Sequence, residues 1–294
     1  MTSQQPRQTV STALLTMRRR LEQAGIEDAG LEAEVLLRHA LNTDRAHLFQ
    51  RMDAPLSEDV MNNLYRLVQR RLSHEPVAYI TGHREFYGLE LHVNRDVLIP
   101  RPETETLVEA VIEFVRAWRR PDEGLEADFQ PLIADVGTGS GAIAVSLAVN
   151  LPDARIRAID LSAGALAVAR ANARLHEVED RIEFLAGNLL QPLTELVDLI
   201  AANLPYVKAD DWLALPPEIR EHEPRAALDG GADGLDLIRP LLEEAPRHLL
   251  PGGAIFLEFG AGQQNALLEL AGVHFRSTIV RPDLAGRPRV LVAQ

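Results

Sequence analysis

The sequence predicts an α/β fold: a seven-stranded sheet, mainly parallel, preceded by a small helical bundle and a β-hairpin. Three observations carry this. From Pro131 onward, short apolar runs alternate with helix-competent stretches, the pattern of a parallel sheet with crossover helices. The first run, Leu132 to Val136, enters a turn containing Gly137, Gly139 and Gly141 and then an apolar helical stretch. Residues 10–80, by contrast, keep helical apolar spacing.

In chain order, Val10, Leu14, Met17, Leu21 and Ala24 mark one helix face, and Gly25 ends that helix. Asp28 is placed to cap a second helix running to Leu41, Asp44 a short third and Ser57 a fourth. On the fourth, Val60, Leu64, Leu67, Val68 and Leu72 share a face. Pro76 suits the first turn of a fifth, 75–80. Residues 85–98 change period, and Phe86, Tyr87-Gly88, Leu89, Leu91, Val93 and then Asn94-Arg95-Asp96 read as a β-hairpin. Ile99-Pro100-Arg101-Pro102 is stiff and extended, a helix follows from Glu103 to about Trp118, and 121–130 is an acidic loop. Strands are expected at 132–136, 155–160, 182–186, 197–202, 254–259, 274–281 and 289–293, the last two as an antiparallel pair. Helices are expected near 142–149, 163–176, 235–248 and 263–271. The chain divides into 1–82, a hairpin linker 83–101, and 102–294.

Composition bounds the function. The 294 residues suffice for about two domains. The absence of Cys excludes disulfides, thiolate metal sites and a cysteine nucleophile. The nine His show no metal-type spacing, so no metal is expected. Residues 1–100 are nearly neutral, with 12 Arg and 13 Asp or Glu, whereas 101–294 carry 18 basic against 30 acidic residues. A broad nucleic-acid-binding face needs the opposite balance. No apolar run approaches a membrane span and Met1 to Gln8 lacks a signal-peptide pattern, so a cytoplasmic protein is expected.

The glycine turn suits a nucleoside-bearing cofactor. Its glycines permit positive φ and close backbone approach, and the helix after it aims free N–H groups at the turn. Gly137-x-Gly139-x-x-Ala142 also fits a dinucleotide fingerprint, and Asp160 stands where either class places a ribose-binding carboxylate. Asn203-Leu204-Pro205-Tyr206 follows the fourth strand, whose carboxyl end faces the same crevice. Pro205 holds Leu204 extended and fixes the direction of its carbonyl. The Asn203 side-chain carbonyl beside it completes a pair of acceptors that match the two hydrogens of one planar NH₂ group. Tyr206 offers a flat apolar wall. Taken alone the tetrapeptide also fits an ordinary turn; its register after the fourth strand favours the paired acceptors.

The chain resembles the PrmC/HemK-type methyltransferases, which methylate a glutamine side-chain nitrogen (N5) in class 1 peptide chain release factors. The resemblance spans almost the whole sequence. It includes Glu75-Pro76-Val77-Ala78-Tyr79-Ile80-Thr81-Gly82, Phe86-Tyr87-Gly88-Leu89 and Leu98-Ile99-Pro100-Arg101-Pro102-Glu103-Thr104-Glu105. It continues through the glycine turn to Glu223-Pro224-Arg225-Ala226-Ala227-Leu228 and Gly230-Gly231-Ala232-Asp233-Gly234-Leu235.

This resemblance implies a class I (Rossmann-like) methyltransferase sheet and S-adenosyl-L-methionine as cofactor. Gly137, Thr138, Gly139, Ser140 and Gly141 would surround its amino-acid part, Asp160 its ribose, and Asn203 the reactive methyl. Asn188 and Leu189 would flank adenine; the family often has Asp and an aromatic residue there. Leu204 replaces the family's usual first Pro but keeps the carbonyl. Residues 1–82 would dock the protein substrate and 102–294 would form the catalytic domain. A monomer acting on release factors in translation termination, with no direct nucleic-acid or membrane binding, is expected. Two rivals stay open: an amino-directed nucleic-acid methyltransferase using the same tetrapeptide on a flipped base, and a nicotinamide-dependent oxidoreductase. The acidic balance opposes the first, and the second leaves Asn203 to Tyr206 unexplained. Glu103 and Glu105 read equally as helix-start stabilisers or as active-site wall. Residues 207–234 form a connection long enough to be a substrate-facing lid.

Overall fold

The computed structural model describes residues 8–118 and 130–294. The expected acidic loop therefore lies, apart from Gln130, outside the described residues. The chain forms two compact units: Met1–Gly82 with Pro217–His222, and His83–Pro216 with Glu223–Gln294.

The first unit holds α1 (Val10–Gln23), α2 (Ala29–Leu41), α3 (Arg45–Gln50), α4 (Glu58–Leu72) and α5 (Val77–Thr81), joined by α9 (Pro217–His222) from much later in the chain. Thr9 and Thr12 form a reciprocal capping box on α1. Asp44 accepts from the His47 N–H and Ser57 from the Val60 N–H. Asp28 makes no such bond: its ψ of 36° is not the extended conformation that aims a capping carboxylate at the helix. Met17, Leu21, Leu36, Leu37, Leu64 and Val68 close the core. Arg71 is buried between Glu32, at 2.6 Å, and Glu218 of α9, at 2.8 Å.

The second unit opens with β1 (His83–Phe86) and β2 (Leu89–His92). Tyr87 and Gly88 both have positive φ, 51° and 72°, as a two-residue hairpin turn of matching twist requires. The hairpin ends before the expected 98, because Asn94 turns the chain by accepting the Asp96 N–H at 2.9 Å. A 3-10 turn, Pro102–Thr104, leads into α6 (Glu105–Trp118). The remaining elements are β3 (Leu132–Val136), α7 (Ala142–Asn150), β4 (Arg155–Asp160), α8 (Ala163–Leu175), β5 (Ile182–Ala186), β6 (Val197–Ala202), α10 (Ile238–Glu244), β7 (Leu249–Glu258), α11 (Gln264–His274), β8 (Thr278–Pro282) and β9 (Pro288–Ala293).

Beyond the hairpin end and α5, which starts at Val77 with Pro76 as its cap, three further differences from expectation stand out. The 235–248 helix is divided into α10 and a 3-10 turn, Ala245–Arg247, since Pro246 cannot donate to an α-helical ladder. α11 extends to His274, so β8 begins at Thr278. β7 starts at Leu249, which pairs with Val197 across a register shift.

The seven-stranded sheet has the order β5-β4-β3-β6-β7-β9-β8. The β5 to β7 neighbours are parallel, and β9 runs antiparallel to both β7 and β8. Side chains alternate between faces: Ile133 joins the core against α6 and α7, while Ala134 and Val136 join the core against α10 and α11. The chain leaves β3 to one side for β4 and returns on the other as β6. That reversal opens a crevice at the carboxyl ends of β3 and β6. No helix among the described residues is long and apolar enough to cross a membrane.

Candidate active site

The turn after β3 is shaped by its backbone. Gly137, Gly139 and Gly141 have φ of 77°, 55° and 81°, values that favour glycine. A Cβ on Gly137 would meet Leu204 Cδ2 at 3.0 Å, and one on Gly141 would meet Ala169 at 3.1 Å. The Gly137 and Thr138 N–H groups both donate to the Ile159 carbonyl at 2.9 Å, which ties the turn to β4. Beneath it Asp135 is fully buried; its Oδ2 accepts from the Thr138 hydroxyl at 2.6 Å and the Ala144 N–H at 3.1 Å. Burial pushes the Asp135 carboxyl up to about 7 against these bonds.

At the end of β4, Asp160 is held from both sides. Oδ2 accepts the Gly139 N–H at 2.9 Å and Oδ1 the Ser162 N–H at 2.8 Å. Each carboxylate oxygen keeps lone-pair capacity for a further donor.

A cavity of about 420 Å³ lies over the turn, a size that suits a small-molecule ligand. Gly137, Thr138, Gly139, Ser140, Asp160, Asn188, Leu189, Asn203, Leu204 and Pro205 all line it. Residues far apart in sequence are thus brought together. Leu189 is buried, with a positive φ of 50°. Leu204 is also buried, its side chain packed beside Gly137, which explains how this position holds an apolar residue. Among the described residues, Gly141 and Tyr206 are absent from the lining. Gly141 instead caps α7 against Ala169. Tyr206 turns its ring to Gly260 and its hydroxyl to Glu258 Oε1, 3.5 Å away, so the expected flat wall faces elsewhere. Burial, then Glu258, push the phenol up to about 12, and it stays protonated.

The segment before α6 supplies residues the sequence reading did not single out. Neither Glu103 nor Glu105 lines the cavity, whereas Thr104 between them does. The Glu105 carboxylate instead accepts the Tyr87 N–H at 2.9 Å. The Asn203 Nδ2 donates to Thr104 Oγ1 at 2.9 Å, which leaves Oδ1 as the acceptor of that amide. Glu223 accepts the Ile99 N–H at 3.1 Å and pairs with Arg101, fastening the 223–227 segment to the extended linker. The motif resemblance pointed to both stretches, but only the fold reveals that Thr104 and Asn203 meet across 99 positions. Of the 207–234 connection, Pro224, Ala226 and Ala227 line the cavity. Among the described residues no cluster of potential metal ligands is found.

The residues fit a nucleoside-bearing cofactor: a glycine cradle that side chains would fill, an oriented carboxylate and an apolar recess ending at Leu189. Comparison with known proteins agrees. Residues 12–82 match the PrmC N-terminal domain and residues 123–215 the methyltransferase small domain. The release factor glutamine methyltransferase of Moorella thermoacetica is 43% identical, covering 97% of this chain and 98% of that one. The release factor glutamine methyltransferase of Geobacter sulfurreducens is 42% identical over 88% and 87%. A solved methyltransferase from Pyrococcus furiosus, 19% identical, shares the fold with a TM-score of 0.50, covering 76% of this chain and 94% of that one.

Proposed function

The chain belongs to the release factor glutamine methyltransferase family, and we propose how its own residues carry out that reaction. Our reading is transfer of a methyl group from S-adenosylmethionine to the side-chain amide nitrogen (N5) of a glutamine in the Gly-Gly-Gln loop of class 1 release factors, in the cytoplasm, to modulate translation termination. The observation that carries it is the convergence of Asn203, Leu204 and Pro205 with the glycine turn and Asp160 on one cavity.

When bound, S-adenosylmethionine supplies an electrophilic methyl group. Gly137, Thr138, Gly139 and Ser140 would hold its amino-acid part, Asp160 would accept from its ribose hydroxyls, and Asn188 and Leu189 would flank its adenine. The substrate amide is a poor nucleophile because its lone pair is delocalised. Asn203 Oδ1 and the Leu204 carbonyl accept its two hydrogens, which turns the nitrogen lone pair toward the methyl group. The same acceptors stabilise positive charge as it grows on nitrogen. No dedicated base is required, since the alkylated, extra-protonated amide is a strong acid. The first unit, which matches the PrmC N-terminal domain, docks the release factor.

The test is incubation with methyl-labelled S-adenosylmethionine and a class 1 release factor, followed by mapping of the label. Label on the loop glutamine is the expected result. Label on nucleic acid supplied in parallel, with none on the release factor, would reject the reading.

A further inference from the structure

The reaction proposed above needs the Asn203 amide held in one plane, with Oδ1 toward the substrate. Nothing within the residue provides that. The χ2 torsion of an asparagine is broad, and an amide that turns freely offers donors as readily as an acceptor. Asn203 is half-buried where it lines the cavity. The contact that sets its plane comes from another segment: Nδ2 donates to Thr104 Oγ1 at 2.9 Å.

Thr104 is a fixed point. It is buried, at 4% exposed, and its branched Cβ restricts χ1. It ends the 3-10 turn, and its N–H donates to the Arg101 carbonyl at 3.1 Å. On one side Pro100 and Pro102 stiffen the chain. There the buried Glu223 accepts the Ile99 N–H at 3.1 Å and pairs with Arg101. On the other side Glu105 accepts the Tyr87 N–H at 2.9 Å. Thr104 Oγ1 therefore meets Asn203 from a segment anchored at both ends, and Thr104 lines the same cavity.

We propose that Thr104 is a positioning residue for methyl transfer: its hydroxyl oxygen holds the Asn203 amide by Nδ2 and so presents Oδ1 to the substrate nitrogen. The inference rests on the reading of Asn203 as an acceptor. An Asn203 amide that turns weakens the contact most when positive charge has grown on the substrate nitrogen, and less in the ground state. The effect of Thr104 therefore falls on kcat and not on KM. The stiff linker between the hairpin and α6 becomes part of the frame of the active site.

The experiment uses the full chain and its Thr104→Val, Thr104→Ala, Thr104→Ser and Asn203→Ala variants, with Thr104→Val and Asn203→Ala also combined. Turnover on a class 1 release factor is measured at saturating S-adenosylmethionine, and cofactor binding by calorimetry. Thr104→Val keeps the shape of the side chain and removes the hydroxyl. Its kcat should fall about tenfold, the scale of one oriented hydrogen bond. Thr104→Ala, which removes the hydroxyl without bringing in a second methyl, should lose a similar amount. KM and cofactor affinity should stay within about twofold, well below that tenfold step. Thr104→Ser keeps the oxygen and should retain most of the rate. The combined variant should be no slower than Asn203→Ala, because without the amide Thr104 has nothing to hold. Wild-type kcat in Thr104→Val and Thr104→Ala would overturn the proposal. So would a loss confined to KM, or a further tenfold loss in the combined variant, since either marks a role apart from Asn203. A readout that needs no catalysis is the side-chain NH₂ of Asn203 in heteronuclear NMR, identified by its absence in Asn203→Ala. Its hydrogens should exchange with water faster in Thr104→Val than in wild type or Thr104→Ser, and unchanged exchange would also overturn the proposal. A wild-type enzyme that modifies no glutamine would instead overturn the functional reading, and the exchange rates would still decide whether Thr104 holds Asn203.

Discussion

The proposed reaction gives Asn203 and Asp160 different work, and single substitutions separate them. On that reading Asn203→Ala would remove one of two acceptors from the substrate amide while leaving the turn and Asp160 in place. Loss of one pre-oriented contact of this kind costs about 10²- to 10³-fold in turnover. Single-turnover methylation at saturating cofactor should show that loss, with cofactor affinity nearly unchanged. Asp160→Ala should do the reverse. It removes a charged acceptor held by the Gly139 and Ser162 N–H groups, and calorimetry should find S-adenosylmethionine binding weakened roughly ten- to a hundredfold. Wild-type affinity in a folded Asp160→Ala protein would rule that role out. Both residues were legible in the sequence because each ends a buried apolar run, and such runs place their last residue at the crevice. Thr104 and Tyr206 were not legible in this way. Thr104 acts through a tertiary contact with Asn203, and Tyr206 is turned from the cavity by Gly260 and Glu258, neither of which lies near it in sequence.

At the scale of elements, the four parallel strands β3 to β6 fell where their apolar runs predicted; the signature is almost continuous in β3 and β6, which are covered on both faces. The irregular segments around them carry no such signature, and they are held by single polar side chains. Gln263 is the clearest case. Buried at the start of α11, it accepts the Gly260 N–H at 2.8 Å and donates to the carbonyls of Tyr206, at 3.1 Å, and Gly234, at 3.2 Å. It fastens the two ends of the 207–234 connection together. Gln263→Leu keeps the bulk but leaves buried polar groups unpaired, at about 1–3 kcal/mol. Urea denaturation should show a lower midpoint with an unchanged slope. Leu204→Pro tests a separate point on the tetrapeptide. Proline keeps the carbonyl that the reaction needs, but the buried leucine side chain beside Gly137 is lost. The expected result is a stability loss of about 1–3 kcal/mol with turnover per folded molecule within about threefold of wild type, less than half the free-energy step of a tenfold change. A folded Leu204→Pro protein as inactive as Asn203→Ala would remove the paired-acceptor mechanism.

For the molecule as a whole, two buried carboxyls dominate the response of stability to pH near neutrality. Burial raises Asp135 from 3.8 and Glu258 from 4.5, each to about 7, and raises Asp198 in the same direction. A carboxyl with a raised folded-state pKa binds its proton more tightly in the folded chain than in the unfolded one. Its contribution to stability is fully present below the unfolded value and is lost as pH rises through the folded value. Asp44, Asp229, Asp233 and Asp283 go the other way: hydrogen bonds lower them, so their contribution is present above 3.8 and is lost on further acidification. Stability should therefore be greatest in mildly acidic solution and decline from about pH 5 to pH 8, a range in which those four carboxylates stay ionised in both states. The net charge of −13 adds self-repulsion in the same alkaline direction. Two compact units make a single two-state melt a poor description, so the transition to follow is that of the unit containing β7. Glu258→Gln keeps the shape of the side chain and removes the buried charge. Its transition should lie at or above that of wild type at pH 8.5 and depend less on pH, with each kcal/mol worth about 2–4 °C. A Glu258→Gln transition that falls at pH 8.5 would instead mark the carboxylate as a structural prop.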